Sequence, residues 1–277
     1  MSVSQIISRY NLISDRRHTR SLGQNFLIDE DVLNRIASAC VGHDKASLSG
    51  YDFVEIGPGP CGLTIALAQM VGDNTKIVCI EKDETLRNLH RDISKEYQQI
   101  NFIYEDALFV DIVDITDRDV VLFGNLPYNV GTKILMHFIS KKNRIKRSVF
   151  MLQKEVVDRI CAECNTKDYG YLSIMCQLLC DVRKLFDVDC SAFYPKPKVV
   201  SSVVELVPKP VDYDMINNVQ YLVKACFENR RKTLFNVLRK ILAKDLVESA
   251  VPHSLLKSRP EVLSPSDYLA LAQKLID

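Results

Sequence analysis

Glu55-Ile56-Gly57-Pro58-Gly59-Pro60-Cys61-Gly62 follows the β-rich run Tyr51 to Ile56 and leads into the helical pattern Leu63 to Val71. Glycine tolerates a sharp turn and lets a bound group approach the backbone closely, so a strand, a glycine loop and a helix in that order mark the first turn of a parallel α/β unit. The spacing fits G-x-G-x-x-G, which in a dehydrogenase cradles a pyrophosphate at the helix N-terminus; Pro58 inside the turn argues against that use.

The same alternation extends along the first two thirds of the chain. Lys76 to Glu81, Ile100 to Glu105, Val120 to Gly124 and Ser148 to Leu152 are Val/Ile/Phe-rich runs. Helical patterns lie among them at Asp83 to Glu96, Thr132 to Lys141 and Lys154 to Cys161, each long enough to cross over a parallel sheet. The pattern predicts a Rossmann-like, doubly wound α/β domain. Asp181 to Val188 and Val199 to Val207 read as two more strands, an antiparallel edge hairpin. Pro208 and Pro210 then punctuate a linker, and only helical patterns follow. The expected domains are therefore a catalytic domain over 1–207 and a small all-helical domain over 211–277.

A chain of 277 residues, 47% hydrophobic and 26% charged, has ample material for a core and is not a disordered sequence. No apolar run reaches the roughly 18 residues of a membrane span, and the N-terminus lacks an apolar signal core, so a cytoplasmic protein is expected. Nine cysteines, an odd number, then read as reduced thiols. Cys161-x-x-Cys164 and Cys176-x-x-x-Cys180 have thiols close enough in sequence to suggest zinc, but the latter pair sits in a helical stretch of core-type residues and the histidines are scattered. No metal is expected.

A net charge of +1 hides local asymmetry. Arg9, Arg16, Arg17, His18 and Arg20 form a basic arm against the single acid Asp15. Between Lys224 and Asp245, seven basic residues accompany Leu234, Val237, Leu238, Ile241 and Leu242 at helical spacing, which predicts an amphipathic helix with a basic face.

The strand ends carry the chemistry. Glu81 closes the second strand 24 residues after Gly57, where a carboxylate can accept both ribose hydroxyls of an adenosyl group. Asp106 follows the third and can take an adenine amine. Gly, Glu and Asp at successive strand ends suit an adenosyl cofactor without a long phosphate chain. At the fourth strand end stands Gly124-Asn125-Leu126-Pro127-Tyr128. An exocyclic amine conjugated to a heteroaromatic ring is a poor nucleophile until its lone pair is recovered. The Asn125 side-chain oxygen and the Leu126 carbonyl, each accepting one amine hydrogen, would pull the nitrogen toward tetrahedral geometry. Pro127 would fix the loop, and Tyr128 would offer a face for an extruded base. Phe193 is a second stacking candidate, and Lys196 and Lys198, kept extended by prolines, suit phosphates.

These segments, together with Ser21-Leu22-Gly23-Gln24-Asn25-Phe26-Leu27-Ile28-Asp29, Leu152-Gln153-Lys154-Glu155-Val156, Phe193-Tyr194-Pro195-Lys196-Pro197-Lys198-Val199 and Arg230-Arg231-Lys232-Thr233-Leu234, give the chain a nearly end-to-end resemblance to the bacterial type of small-subunit ribosomal RNA adenine N6-dimethyltransferases. The resemblance implies S-adenosylmethionine as methyl donor, with Asn25, Leu27, Gly57, Glu81, Asp106 and Asn125 at the cofactor-binding positions. It implies as substrate the small ribosomal subunit, whose 16S rRNA carries two adjacent adenosines in a 3′-terminal hairpin, each dimethylated at N6 in ribosome biogenesis. A monomer bound through its helical domain is expected. Cys61 departs from the small Gly or Ala often found at its loop position, which bears on cofactor affinity.

Three other readings compete. The related large-subunit enzymes of macrolide resistance are disfavoured by Leu126 and by the Arg-Arg-Lys-Thr segment. An assembly or transcription factor of this fold would not need the intact Asn125 to Tyr128 loop. A dehydrogenase would need a polarising His or Arg beside a hydride acceptor, and no such set is visible.

Overall fold

The computed structural model of the chain describes residues 2–12, 25–42, 50–141 and 144–276. Most of the basic arm, including Arg16, Arg17, His18 and Arg20, and the Ser21 to Gln24 part of its neighbouring motif lie outside the described residues. The elements in chain order begin with α1 (Val3–Arg9), β1 (Phe26–Leu27), α2 (Glu30–Val41), β2 (Tyr51–Ile56), α3 (Gly62–Val71), β3 (Ile77–Glu81), α4 (Arg87–Glu96) and β4 (Ile100–Tyr104). There follow β5 (Asp119–Asn125), α5 (Gly131–Ile139), β6 (Ile145–Gln153), α6 (Lys154–Ile160), α7 (Tyr171–Leu179), β7 (Cys180–Val188), β8 (Phe193–Tyr194) and β9 (Ser201–Pro208). The last elements are helical: α8 (Tyr213–Glu228), α9 (Leu234–Leu238), α10 (Lys244–Ala250), α11 (His253–Leu256) and α12 (Pro265–Ile276).

Seven strands form one sheet in the order β4-β3-β2-β5-β6-β9-β7. β4, β3, β2, β5 and β6 run parallel, and β9 lies antiparallel to β6. The strand order reverses direction between β2 and β5, which is where an open α/β sheet leaves a crevice at its carboxyl ends. The expected doubly wound domain is therefore present, with β9 and β7 together at one edge. Buried runs account for the parallel centre: five of the six residues of β2 and all of β3 are inaccessible, as strands covered on both faces require. Asp29 starts α2 by accepting from the Val32 N–H at 3.0 Å, and Gly42 ends it at φ +72°.

The chain divides into two compact units. The first comprises 1–138, 143–157 and 183–207, and its core includes Ile36, Phe53, Leu67, Ile77 and Phe123. The second comprises 139–142, 158–182 and 208–277, so it takes in segments upstream of the expected linker as well as the C-terminal helices. Its core joins Ile174, Val219, Leu222, Leu234 and Leu271, with the Tyr169 hydroxyl donating to the Leu263 carbonyl at 2.9 Å.

The continuous amphipathic helix expected across 224–245 is not formed. α8 stops at Glu228, and a turn closed by Lys232 N–H donating to the Asn229 carbonyl follows. Thr233, in extended conformation, caps the short α9. Its hydroxyl accepts from Asn236 N–H, the local competition by which Thr starts a helix rather than continues one. Arg230 is drawn off any common basic face by donating to the Thr166 and Lys167 carbonyls at 2.9 and 2.7 Å. Among the described residues, no helix is long and apolar enough to cross a membrane.

Candidate active site

At the carboxyl end of β2 the backbone passes through left-handed conformations at Gly57 (φ +68°), Gly59 (φ +51°) and Cys61 (φ +63°) before α3 begins. Gly57 N–H donates to the Ile80 carbonyl and Cys61 N–H to that of Pro58, both at 2.9 Å, which pins the loop to β3 and to itself. A Cβ on Gly57 would meet nothing within 4 Å, so this backbone faces open space. Cys61 is fully buried; its thiol points at the Gly59 carbonyl at 3.7 Å, and burial pushes its pKa far up, so it is a packing group rather than a nucleophile.

Glu81 ends β3 beside this loop. Its Oε2 accepts from Gly59 N–H at 3.1 Å and its Oε1 from Asp83 N–H at 2.8 Å. Burial raises its pKa, and the two N–H donors oppose that rise. Each oxygen retains a lone pair, the requirement for accepting a vicinal diol.

β5 brings the fourth strand end against the same loop because residue 124 has no side chain. At Gly124 (φ +157°) a Cβ would lie 2.5 Å from the Ile56 carbonyl oxygen. Asn125 follows, its Nδ2 donating to the Asn25 carbonyl at 3.3 Å, which leaves Oδ1 as the acceptor of that side chain. The Leu126 N–H is held by the Met151 carbonyl at 3.1 Å, and the Pro127 carbonyl accepts from Val130 and Gly131 to start α5. Among the described residues none donates to the Leu126 carbonyl, which stays an available acceptor. Tyr128 is oriented by a 2.7 Å hydrogen bond between its hydroxyl and Ser201 Oγ, and burial raises its pKa.

One cavity of about 300 Å³ joins these groups. Asn25, Leu27, Gly57 and Glu81 line it together with the whole segment Asn125, Leu126, Pro127 and Tyr128. The donor set fits an adenosyl sulfonium compound: a two-oxygen acceptor for a diol, an open glycine backbone, and apolar wall from Phe26, Leu27 and Leu63. Two expected residues stand apart. Asp106 is not in the lining; Lys82, which is, holds its Oδ2 at 2.7 Å, and Leu108 N–H holds its Oδ1 at 3.0 Å. The Lys82 ammonium keeps the Asp106 carboxyl below its usual range. Phe193 is 3% exposed, packed in the core of the first unit and paired with Leu27 across the small β1–β8 sheet, whereas its neighbour Tyr194 is 52% exposed. Sequence reading missed Lys82, Asp83 and Phe26; the available signal was adjacency to Glu81 and Asn25.

Residues 16–276 match the family described as Ribosomal RNA adenine dimethylase. A "Ribosomal RNA small subunit methyltransferase A" of Acinetobacter baylyi is 37% identical over 262 residues, 93% of this chain and 92% of that protein. The protein of the same name from the Wolbachia of Brugia malayi is 34% identical over 92% of this chain and 97% of its own length. Among solved structures, a dimethyladenosine transferase from Plasmodium falciparum superposes with a TM-score of 0.69 at 26% identity, covering 87% of this chain and 94% of that one. The 23S rRNA methyltransferase ErmE, at 23% identity and a TM-score of 0.67 over 91% of this chain and 100% of its own, shares the fold. On the family match, which takes in nearly the whole sequence, the protein belongs to the ribosomal RNA adenine dimethylase family.

Proposed function

We propose that this chain uses S-adenosylmethionine to dimethylate N6 of two adjacent adenosines in the 3′-terminal hairpin of small-subunit (16S) rRNA, as a monomer in the cytoplasm during ribosome biogenesis. The supporting observation is that the Asn125-to-Tyr128 loop and the Glu81 carboxylate line one cavity. When bound, S-adenosylmethionine supplies an electrophilic sulfonium methyl. Glu81 accepts the ribose hydroxyls, and Asn25, Leu27 and Gly57 shape the rest of the cofactor's bed. Asp106 can turn to an adenine amine only when Lys82 yields it.

Tyr128, its hydroxyl tied to Ser201, presents a ring on which a flipped adenine stacks, a contact worth roughly 1–3 kcal/mol. Asn125 Oδ1 and the Leu126 carbonyl accept the two N6 hydrogens and so orient the nitrogen lone pair. Pro127 spends its own carbonyl on α5 and thereby holds the Leu126 carbonyl in place. Alkylation of N6 acidifies its proton, so the chain need supply no strong base. For the second transfer only one hydrogen remains, and one of the two acceptors is vacated. Phe193 enters this scheme as support for Leu27 rather than as a stacking face.

The helical unit is the proposed rRNA-binding part. Lys232 and Arg239 crowd Lys240 and hold its ammonium below the usual lysine range, a convergence of cations that phosphate relieves. Lys196 and Lys198 are exposed in the first unit and suit phosphates of the same RNA. The test offers methyl-labelled S-adenosylmethionine with unmethylated small subunits and, separately, large-subunit RNA. Label in the small subunits alone is expected. Label only in large-subunit RNA contradicts the substrate. Cofactor binding without transfer to either contradicts the activity. Glu81→Ala should weaken cofactor binding at least tenfold by calorimetry, about 1.4 kcal/mol.

A further inference from the structure

His90, on α4, is one of five histidines scattered through the sequence, and it does not line the cavity. It is 1% exposed, with its ring stacked on Phe102 at 4.2 Å and 6°. Nε2 lies 2.9 Å from the Gly59 carbonyl oxygen and Nδ1 2.9 Å from the Tyr104 hydroxyl. A carbonyl can only accept, so Nε2 carries the proton; in a neutral ring Nδ1 is then an acceptor, and the Tyr104 hydroxyl donates to it. Burial, opposed by the Gly59 contact and by Asp83, brings the imidazole pKa down to about 4, so one donor and one acceptor is its state at neutral pH. Tyr104 is itself held under the Arg87 guanidinium at 3.8 Å.

Gly59 is thus held on both sides of its Cα, through the peptide before it and the peptide after it. Its carbonyl accepts a hydrogen bond from His90 Nε2–H, and its N–H is the donor to Glu81 Oε2. Glycine at φ +51° has little torsional preference of its own, so neighbouring hydrogen bonds decide its orientation. Loss of the imidazole would leave the Gly59 carbonyl with only the weak Cys61 thiol contact at 3.7 Å and loosen the φ and ψ of Gly59, which aim its N–H at the carboxylate.

We propose that His90 is a positioning residue for cofactor binding: through Gly59 it fixes the orientation of the Glu81 carboxylate toward the ribose hydroxyls. This rests on the reading of Glu81 as the ribose acceptor. The effect belongs to binding, because the Asn125 and Leu126 acceptors that orient the amine do not contact this chain of hydrogen bonds.

The near-isosteric pair His90→Gln and His90→Met separates hydrogen bonding from packing. Gln can donate to the Gly59 carbonyl from the Nε2 position; Met fills similar space without a donor. H90M should bind S-adenosylmethionine about tenfold more weakly by calorimetry, with the cofactor KM raised in step and kcat at saturating cofactor within about twofold of wild type. H90Q should recover to within about threefold on the same constants. Equal cofactor affinity in the two variants, or a loss in kcat rather than KM, overturns the proposal. If H90M does not fold, His90→Phe, which keeps an aromatic face for Phe102, takes its place with the same criteria. E81A separates the two readings: wild-type cofactor affinity in E81A refutes the ribose role of Glu81, whereas weakened E81A alongside full-affinity H90M refutes the role of His90 alone.

Discussion

Asn125 joins two tasks, an amide N–H given to the Asn25 carbonyl and a carbonyl oxygen left for substrate. Its structural bond is long and replaceable, so Asn125→Ala should keep the fold, with stability within about 1 kcal/mol of wild type by urea denaturation. Methyl transfer should fall on the order of 10²–10³-fold, the scale seen when a preorganised hydrogen-bonding group is removed from a reacting centre. Wild-type turnover would refute its role. Glu55 is a different kind of residue: it is 2% exposed under the glycine loop, with Thr64 Oγ1 donating to its Oε2 at 2.5 Å. Burial raises its pKa from 4.5 to about 8, the Thr64 bond opposing the rise. An acid with a raised folded-state pKa holds its proton more tightly when folded, so its contribution to stability is complete below about pH 4.5 and is lost as the pH rises toward about 8. Glu55→Gln removes that titration. Its Tm relative to wild type should therefore climb between about pH 5 and 8, and parallel curves would mean that Glu55 ionises normally in the fold.

The element scale is where the sequence was most informative and where it misled. Val/Ile/Phe runs bounded by Gly, Asp and Glu located β2 to β6; β2, β3 and β5, covered on both faces, read as continuous apolar stretches, whereas β4 at the sheet edge is only partly buried. Apolar spacing across 234–242 read as one long helix, although Leu234, Val237 and Leu238 enter the core from α9 alone and the chain turns on either side of it. Thr233 was the overlooked sign, an N-cap residue inside an apolar period. The surroundings of Phe193 and Asp106 were illegible for another reason. Phe193 is placed by pairing with Leu27 more than 160 residues away, and Asp106 by the Lys82 ammonium, and neither partner is implied by local pattern. Gly124 sets how β5 meets β2. Gly124→Ala would put a Cβ 2.5 Å from the Ile56 carbonyl oxygen and should cost about 1–3 kcal/mol in urea denaturation while moving Asn125; an unchanged midpoint would contradict the close approach.

The whole molecule comprises two compact units with separate cores. The sequence reading divided the chain at the Pro208 and Pro210 linker, whereas the membership of 158–182 in the second unit depends on contacts such as Tyr169 to Leu263 that no local pattern encodes. If Lys196, Lys198, Lys232, Arg239 and Lys240 supply about four phosphate contacts, rRNA affinity should fall about a hundredfold between 50 and 200 mM salt. Replacing Lys196 and Lys198 by Ala should lower the log–log slope by about 1.5 without changing which adenosine is methylated. A shallow wild-type slope would remove the phosphate-contact reading of these residues.

The most direct test of the shared cavity is to react the protein and S-adenosylmethionine with unmethylated small subunits, digest the rRNA and locate N6,N6-dimethyladenosine by mass spectrometry. Dimethylation at two adjacent adenosines of the 3′-terminal hairpin, lost in N125A, is the predicted result. Methyl groups at other positions, or undiminished product from N125A, would contradict it.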